Sequence, residues 1–201
     1  MTVATENAYQ SDIAVWINEH LARPFSVDDR SQMALACFDL AIEHHAAICT
    51  LSQGELFGSM YALLRVEFEA FARGLWIRHA ANDELLLKYR EDKMRDFGIA
   101  ALIESVENRL GMKGSALSTI KTKHWDIFCS FTHTGYQALV RRANETHTGP
   151  VNYQDKEVIT GLRFAGLVAL LSAVELAEMT GEEALVNTAL DKARGYGTQK
   201  L

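Results

Sequence analysis

Apolar residues recur with helical spacing along most of the chain, and this pattern predicts a protein built from α-helices. Over residues 28–52 they return every three or four positions, which places them on one face of a helix. A second apolar helix is predicted over residues 55–80, and Asn82 and Asp83 should begin the next one. Since no strand-period run and no repeat stands out, the predicted fold class is all-α, a helical bundle with long central helices.

The remaining segments complete this bundle. Two short helices are predicted over residues 84–110, a long helix over residues 115–144, a loop over residues 145–153 and a further helix over residues 154–179. Residues 164–174 are apolar on every face, which is typical of a central, buried helix. A short N-terminal helix, residues 11–22, is capped by Ser11 or Asp12 and ended by Pro24. A polar helix and tail follow over residues 181–201, so we expect one domain, residues 1–201, with its core over about 28–180.

Charge and cysteine content narrow the classes of function. The chain has 26 acidic and 20 basic residues, a formal net charge of −6, so no overall positive field attracts DNA or an anionic membrane. The N-terminus carries neither the basic nor the apolar region of a signal peptide. Three widely spaced cysteines without a CxxC motif favour reduced thiols. We therefore predict a cytoplasmic protein without membrane or DNA partners.

A narrow polar stripe crosses the helix predicted over residues 55–80. Arg65, Glu69 and Arg73 follow one another at four-residue spacing, and on a helical wheel Tyr61 and Trp76 border them. Guanidinium groups bind phosphates and carboxylates with paired donors, and an indole ring suits a nucleotide base. The stripe therefore predicts a half-buried groove for an anionic ligand. The alternative is an internal ion-pair network in which Glu69 neutralises both arginines and no ligand binds.

The helix predicted over residues 115–144 has a second polar face. His133 lies on it together with Asp126, Ser130 and Gln137. An aspartate near a histidine can orient its ring, although this order matches no nucleophile motif. The alternative is a histidine that only faces solvent.

Metal and cofactor chemistry find little support in the sequence. No Glu-x-x-His pair of the kind used by di-iron bundles occurs, and the adjacent His44 and His45 point about 100° apart on a helix. Glycine-rich phosphate loops are also missing. The prediction is no metal and no cofactor.

Two sequence motifs resemble those of a known family. The segments LRVEFEAFARGLW, residues 64–76, and SFTHTGYQ, residues 130–137, look like an uncharacterised bacterial family of all-helical proteins, which pairs an R-x3-E-x3-R-G-x-W helix with a later H-x-G helix. The resemblance spans roughly residues 28–180. More remotely, such proteins are similar to the HEPN superfamily, which includes ribonuclease toxins and phage-defence proteins marked by an Arg and a His four to six residues apart.

The HEPN resemblance implies specific catalytic pairs. Arg73 and His79 have the required spacing, as do Arg141 or Arg142 with His147, and His133 with Arg65 and Arg73 is an assembly across two helices. In each case the histidine would be the general base on a 2′-hydroxyl, and the arginine would stabilise the phosphorane without metal.

Two functional hypotheses follow from the stripe and the resemblance. The first is a defence- or stress-associated, metal-independent ribonuclease with Arg73 and His133 as its main catalytic residues. The second is a non-catalytic binding or scaffold protein that holds an anionic ligand or partner in the groove of Arg65, Glu69 and Arg73. The predicted partners are RNA or a small anionic ligand, and a second copy of the chain in a homodimer.

Overall fold

The computed structural model describes residues 1–21, 28–94, 97–143, 145–149 and 152–198. Within these residues the chain is α-helical and has no β-strand, only an isolated bridge between Ala143 and Thr148. The helices are α1 (Val3–Leu21), α2 (Asp29–Gln53), α3 (Phe57–Leu75), α4 (Asp83–Arg90), α5 (Ile99–Leu110), α6 (Ala116–Thr132), α7 (Tyr136–Leu139), α8 (Asp155–Thr180) and α9 (Glu183–Thr198). A π-helical turn, Trp76–Ala80, continues α3. The predicted all-α bundle is confirmed.

Local sequence signals set several helix ends. The Asp28 side chain accepts a hydrogen bond from the Ser31 amide at the start of α2, and Asn82 accepts one from Leu85 at the start of α4. Gly181 ends α8 in the left-handed conformation, with φ of 74°. These boundaries agree with the sequence prediction because each depends on a cap that is encoded within a few residues.

The core forms around α8, which packs against α1, α2, α3 and α9. Half of its 26 residues are buried, including Leu162, Ala169 and Leu170, as expected for a central helix. Helices α2 and α3 approach closely where Phe38 covers Gly74, and a Cβ atom at Gly74 would lie 2.5 Å from the Phe38 ring. Only glycine fits there without a shift of the ring.

Two helices, α2 and α8, are long and apolar enough to cross a membrane by length and composition alone. Most of the apolar stretch of α8 is buried against other helices, and a buried core helix satisfies the same criterion. The cytoplasmic location and the absence of a membrane partner stay predictions.

The N-terminal helix is longer than predicted. It begins at Val3 rather than near residue 11, so Ser11 and Asp12 lie within α1 and cap nothing. Its first turns bury the polar residues Glu6, Asn7 and Gln10, which an amphipathicity argument assigns to solvent. The predicted stop at Pro24 lies outside the described residues.

The predicted helix over residues 115–144 is also wrong in one respect, because it breaks at His133. Thr134 has a φ of 56°, and α7 begins only at Tyr136. The Gly135 amide donates to the Ser130 carbonyl oxygen at 2.6 Å, which closes the end of α6. Gln137 is therefore not on the helix face that carries Asp126 and Ser130.

At the C-terminus, α9 continues through Gly195 to Thr198, so the predicted tail is helical at least to that residue. Ala189 and Ala193 of α9 belong to the same apolar cluster as Ile13 and Ile17 of α1, and α9 packs against α8.

Candidate functional site

The N-terminal half of the stripe on α3 meets the end of α6. Arg65 Nη1 lies 2.7 Å from His133 Nε2. Because a guanidinium only donates hydrogen bonds, His133 Nε2 is the acceptor and the ring carries its proton on Nδ1. This contact, here called the Arg65–His133 pair, confirms that α3 and α6 bring these two predicted residues together.

Two further side chains hold Arg65 in place. Its guanidinium carbon lies 5.0 Å from the centre of the Trp125 ring, and its Nε lies 3.7 Å from Glu69 Oε2. The Arg65 side chain is 19% exposed and that of Glu69 is 26% exposed, so the group is partly desolvated and still open to a small solute. The sequence analysis did not identify Trp125, which lies on α6 two turns before His133.

One donor of Arg65 is unused in this arrangement. Within the described part of the chain, the buried Arg65 Nε has no hydrogen-bond partner. This Nε is shielded from solvent and faces Glu69, so an oxyanion would accept hydrogen bonds from the outer N–H groups of the guanidinium, one of which holds His133.

The turn after α6 explains why His133 points back to α3. Thr134 lies in the left-handed region, and a Cβ atom at Gly135 would lie 2.5 Å from Ser130 Oγ. The Gln137 amide donates to Ser130 Oγ at 3.0 Å. A glycine two residues after the histidine therefore allows the chain to reverse close to α6.

The C-terminal half of the stripe has different neighbours. Arg73 lies over the Tyr89 ring at 5.3 Å. Trp76 is 0% exposed and packs against Tyr89 and Phe97. The predicted groove from Tyr61 to Trp76 is therefore wrong as a continuous surface, because Trp76 belongs to the core.

Tyr61 faces another part of the molecule. Its ring stacks on Phe131 at 4.8 Å and on Tyr153 at 5.8 Å. The Tyr61 hydroxyl is buried without a hydrogen-bond partner among the described residues. Burial, aided by the negative charge of Glu157, raises the pKa of Tyr61 far above its usual value.

The predicted pair of Arg73 and His79 is not brought together in the described structure. His79 Nε2 lies 3.3 Å from Glu175 Oε2. Arg78 bonds the same carboxylate and that of Glu178. His79 thus belongs to an ion-pair group between the π-helical turn and α8, on a different side from Arg73 and Tyr89.

The alternative pair near α7 is only partly placed. Arg141 forms a bidentate ion pair with Glu157, which raises the pKa of Arg141 and lowers the pKa of Glu157. The Arg142 carbonyl accepts from the Gly149 amide at 2.7 Å, and His147 lies in the same loop. The catalytic roles of Arg142 and His147 stay predictions.

A buried chain of polar side chains runs through the core and was not identified from the sequence. Arg163 Nε donates to Glu6 Oε2 at 3.0 Å, and Gln10 Nε2 donates to Glu6 Oε1 at 2.8 Å. The Gln10 amide oxygen then faces His45 Nε2 at 3.0 Å, and Cys49 Sγ lies 3.5 Å from the same nitrogen. The apolar pattern over residues 28–52 indicates that this helix has a buried face, but it could not supply the partners of His45 from α1.

Burial shifts the pKa values of side chains in this buried polar group and of a nearby carboxylic acid, Glu67. It lowers the pKa of His45 to about 4 and, with Glu67, raises the pKa of Cys49 to about 12. Glu67 is 0% exposed, and neither carboxyl oxygen has a hydrogen-bond partner in the described residues. Burial therefore raises the pKa of Glu67 well above its usual value, which favours the neutral carboxylic acid.

The described residues contain no group of three or more His, Cys, Asp or Glu side chains placed to hold a metal ion. Cys37, Cys49 and Cys129 are free thiols. The sequence prediction that the protein uses no metal and no cofactor stays a prediction.

Comparison with known proteins gives a family and no activity. No curated protein and no solved structure matches the chain. The model of a family of unknown function (DUF6988) matches residues 38–199, which include α3, α6 and the Arg65–His133 pair. The chain therefore belongs to this family of unknown function, DUF6988.

Proposed function

We propose that this protein binds a phosphate-bearing ligand at the Arg65–His133 pair. The observation that carries the proposal is the 2.7 Å approach of Arg65 Nη1 to His133 Nε2 on a partly exposed surface. An oxyanion inserted between them would accept one hydrogen bond from each group, and hydrogen bonds to charged donors are the strong ones.

Binding would change the protonation of His133. In the free protein its Nε2 accepts from Arg65, and in the complex the same nitrogen must carry a hydrogen to donate to the ligand. The ring proton therefore moves from Nδ1 to Nε2, or the ring takes up a second proton. Glu69, 3.7 Å from Arg65 Nε, orients the guanidinium and limits its net positive charge.

The other predicted ligand residues cannot reach the same phosphate. Arg73 lies two turns from Arg65, roughly 12 Å along the helix axis, and contacts Tyr89. Trp76 is buried, and Tyr61 lies beside Phe131. A ligand that engages both Arg65 and Arg73 must be longer than one phosphate, as a nucleotide or an RNA segment is.

Isothermal titration with inorganic phosphate and with adenosine monophosphate tests the proposal. Arg65→Ala or His133→Ala should weaken binding at least about tenfold, because each removes one charged hydrogen bond. Arg90→Ala is the matched control: Arg90 is also an arginine paired with a carboxylate, Asp29, but lies on α4. Equal affinity in wild type, Arg65→Ala and His133→Ala would contradict the proposal.

Metal-independent RNA cleavage is the second candidate, and the same pair favours it. His133 Nε2 would take the proton of a 2′-hydroxyl, the 2′-oxygen would attack phosphorus, and Arg65 would stabilise the phosphorane. The bond to the 5′-oxygen then breaks, giving a 2′,3′-cyclic phosphate, and His133 returns its proton to the leaving oxygen. Because Arg65 donates a hydrogen bond to His133 Nε2, this bond must break before His133 can act as a base.

An RNA cleavage assay in the presence of EDTA tests this second candidate. Wild type should cleave, and His133→Ala and Arg65→Ala should lose at least about a hundredfold in rate, in line with the usual contribution of a general base. Arg73→Ala tests the second arginine separately. A similar loss of cleavage rate in this variant would show that the site extends along α3 to Arg73. Intact RNA after long incubation with concentrated wild type would eliminate cleavage and leave the binding proposal standing.

A further inference from the structure

We propose that a cavity between α3, α6, α8 and α9 is a second binding site, for a small amphiphile with an apolar body and one carboxylate. The cavity has a volume of about 600 Å³, a size typical of sites for small organic molecules. Neither Arg65 nor His133 lines it, so the site is separate from the one proposed above.

The cavity wall is largely apolar and aromatic. Phe128 and Phe164 contact each other at 5.3 Å, and Phe131 stacks on Tyr61. Leucine and isoleucine side chains complete the wall: Leu64, Ile127 and Leu167. Ile127 remains 45% exposed, so part of this apolar surface is in contact with water until a ligand covers it.

One end of the cavity is polar. The Tyr61 hydroxyl is buried there without a partner among the described residues, and it responds to the charges of Glu157 and Arg141, which also line the cavity. Because burial keeps the phenol neutral, its O–H is a donor. A buried donor without an acceptor is unfavourable, and a small shift of the Tyr61 ring towards the cavity would let a ligand oxygen satisfy it.

The charges around the cavity indicate the sign of the ligand. Arg141 is held by Glu157, and Arg194 bonds Asp191 at 3.0 Å. Lys156 also lines the cavity and forms no ion pair in the part of the chain that the structure describes. The Lys156 ammonium group would bind a ligand carboxylate, while the apolar body of the ligand lies against the phenylalanine rings.

Titration calorimetry with decanoate, below its aggregation concentration, tests this inference. Decanoate should bind with one-to-one stoichiometry, decanol should bind at least about tenfold more weakly for lack of the charge, and acetate should show no binding. Lys156→Glu should weaken decanoate binding by about tenfold or more. Lys113→Glu, a lysine near another surface depression, is the control and should bind like wild type.

A second variant tests the location. Thr160 lines the cavity from the exposed side of α8, and Thr160→Trp should fill it and abolish decanoate binding. Equal binding of decanoate and decanol, or unchanged decanoate binding in Thr160→Trp or Lys156→Glu, would overturn the proposal. Phosphate titration of the same variants separates the sites, because Thr160→Trp should leave the affinity for phosphate unchanged.

Discussion

Arg163→Met should lower the free energy of unfolding by about 3–5 kcal/mol, the usual cost of removing one partner of a buried ion pair. Arg163 Nε lies 3.0 Å from Glu6 Oε2, and the Glu6 side chain is only 2% exposed. Without Arg163 the carboxylate remains buried, and Gln10 Nε2 is the donor that still reaches it. Urea denaturation at neutral pH measures the change.

Two further variants distinguish charge stranding from loss of packing. Arg163→Met combined with Glu6→Gln should regain most of the lost stability, because the double variant leaves no unpaired charge. Arg194→Ala breaks a pair in which both side chains are 73% exposed and should change stability by less than about 1 kcal/mol. If the double variant is no more stable than Arg163→Met, the loss of stability comes from lost packing and not from an unpaired charge.

His45 should make the protein lose stability in acid. Burial lowers its folded-state pKa to about 4, against about 6.5 in an unfolded chain, so the unfolded state binds the extra proton between these values. The stability associated with a neutral His45 is therefore fully present above about pH 6.5. As the pH falls towards 4, the free energy of unfolding decreases by roughly 3 kcal/mol. The measurement is the stability difference between wild type and His45→Gln as a function of pH, which should shrink or reverse over this range.

Glu67 acts in the opposite direction. Its raised pKa favours the folded state in acid, and that contribution is lost as the pH rises above about 4.3, the usual value for glutamate. Glu67→Gln removes the opposing contribution and should make the acid loss from His45 steeper. A wild type to His45→Gln difference that stays constant from pH 7 to pH 4 would contradict the assignment to His45.

Helix positions were predictable where the signal is local. Asp28, Asn82 and Gly181 act through hydrogen bonds or backbone angles within a few residues, so the sequence indicates their helix ends directly. The break at His133 was missed because the apolar spacing continues across it and Thr134 adopts a positive φ that its residue type does not announce. The early start of α1 was missed because its first buried residues are polar.

The candidate site was predictable only up to the surface of one helix. A helical wheel gives the direction of Arg65, Arg73 and Trp76 but not which neighbour covers each level of α3. Near Arg65 the neighbour is α6, which contributes Trp125, and near Trp76 the residues that cover it include Tyr89. The residues of the stripe follow a single pattern in the sequence but lie in two separate environments in the folded protein.

The contacts of the buried polar side chains could also not be predicted from the pattern of a single helix. His45 lies on an apolar helix face, and Glu67 interrupts one, which marks both as unusual. The environment of His45 depends on α1, which brings Gln10 and Glu6 into the core over a long sequence separation. Single-helix patterns contain no information about such pairings.

The most direct test of the proposed phosphate site is the protonation of the His133 ring, observed by nitrogen-15 NMR while inorganic phosphate is added. In the free protein at neutral pH, Nε2 should carry no proton, because it accepts from Arg65. With saturating phosphate Nε2 should carry a proton in wild type, and Arg65→Ala should require much more phosphate for the same change. A His133 ring whose nitrogen signals do not respond to phosphate would contradict the proposed site.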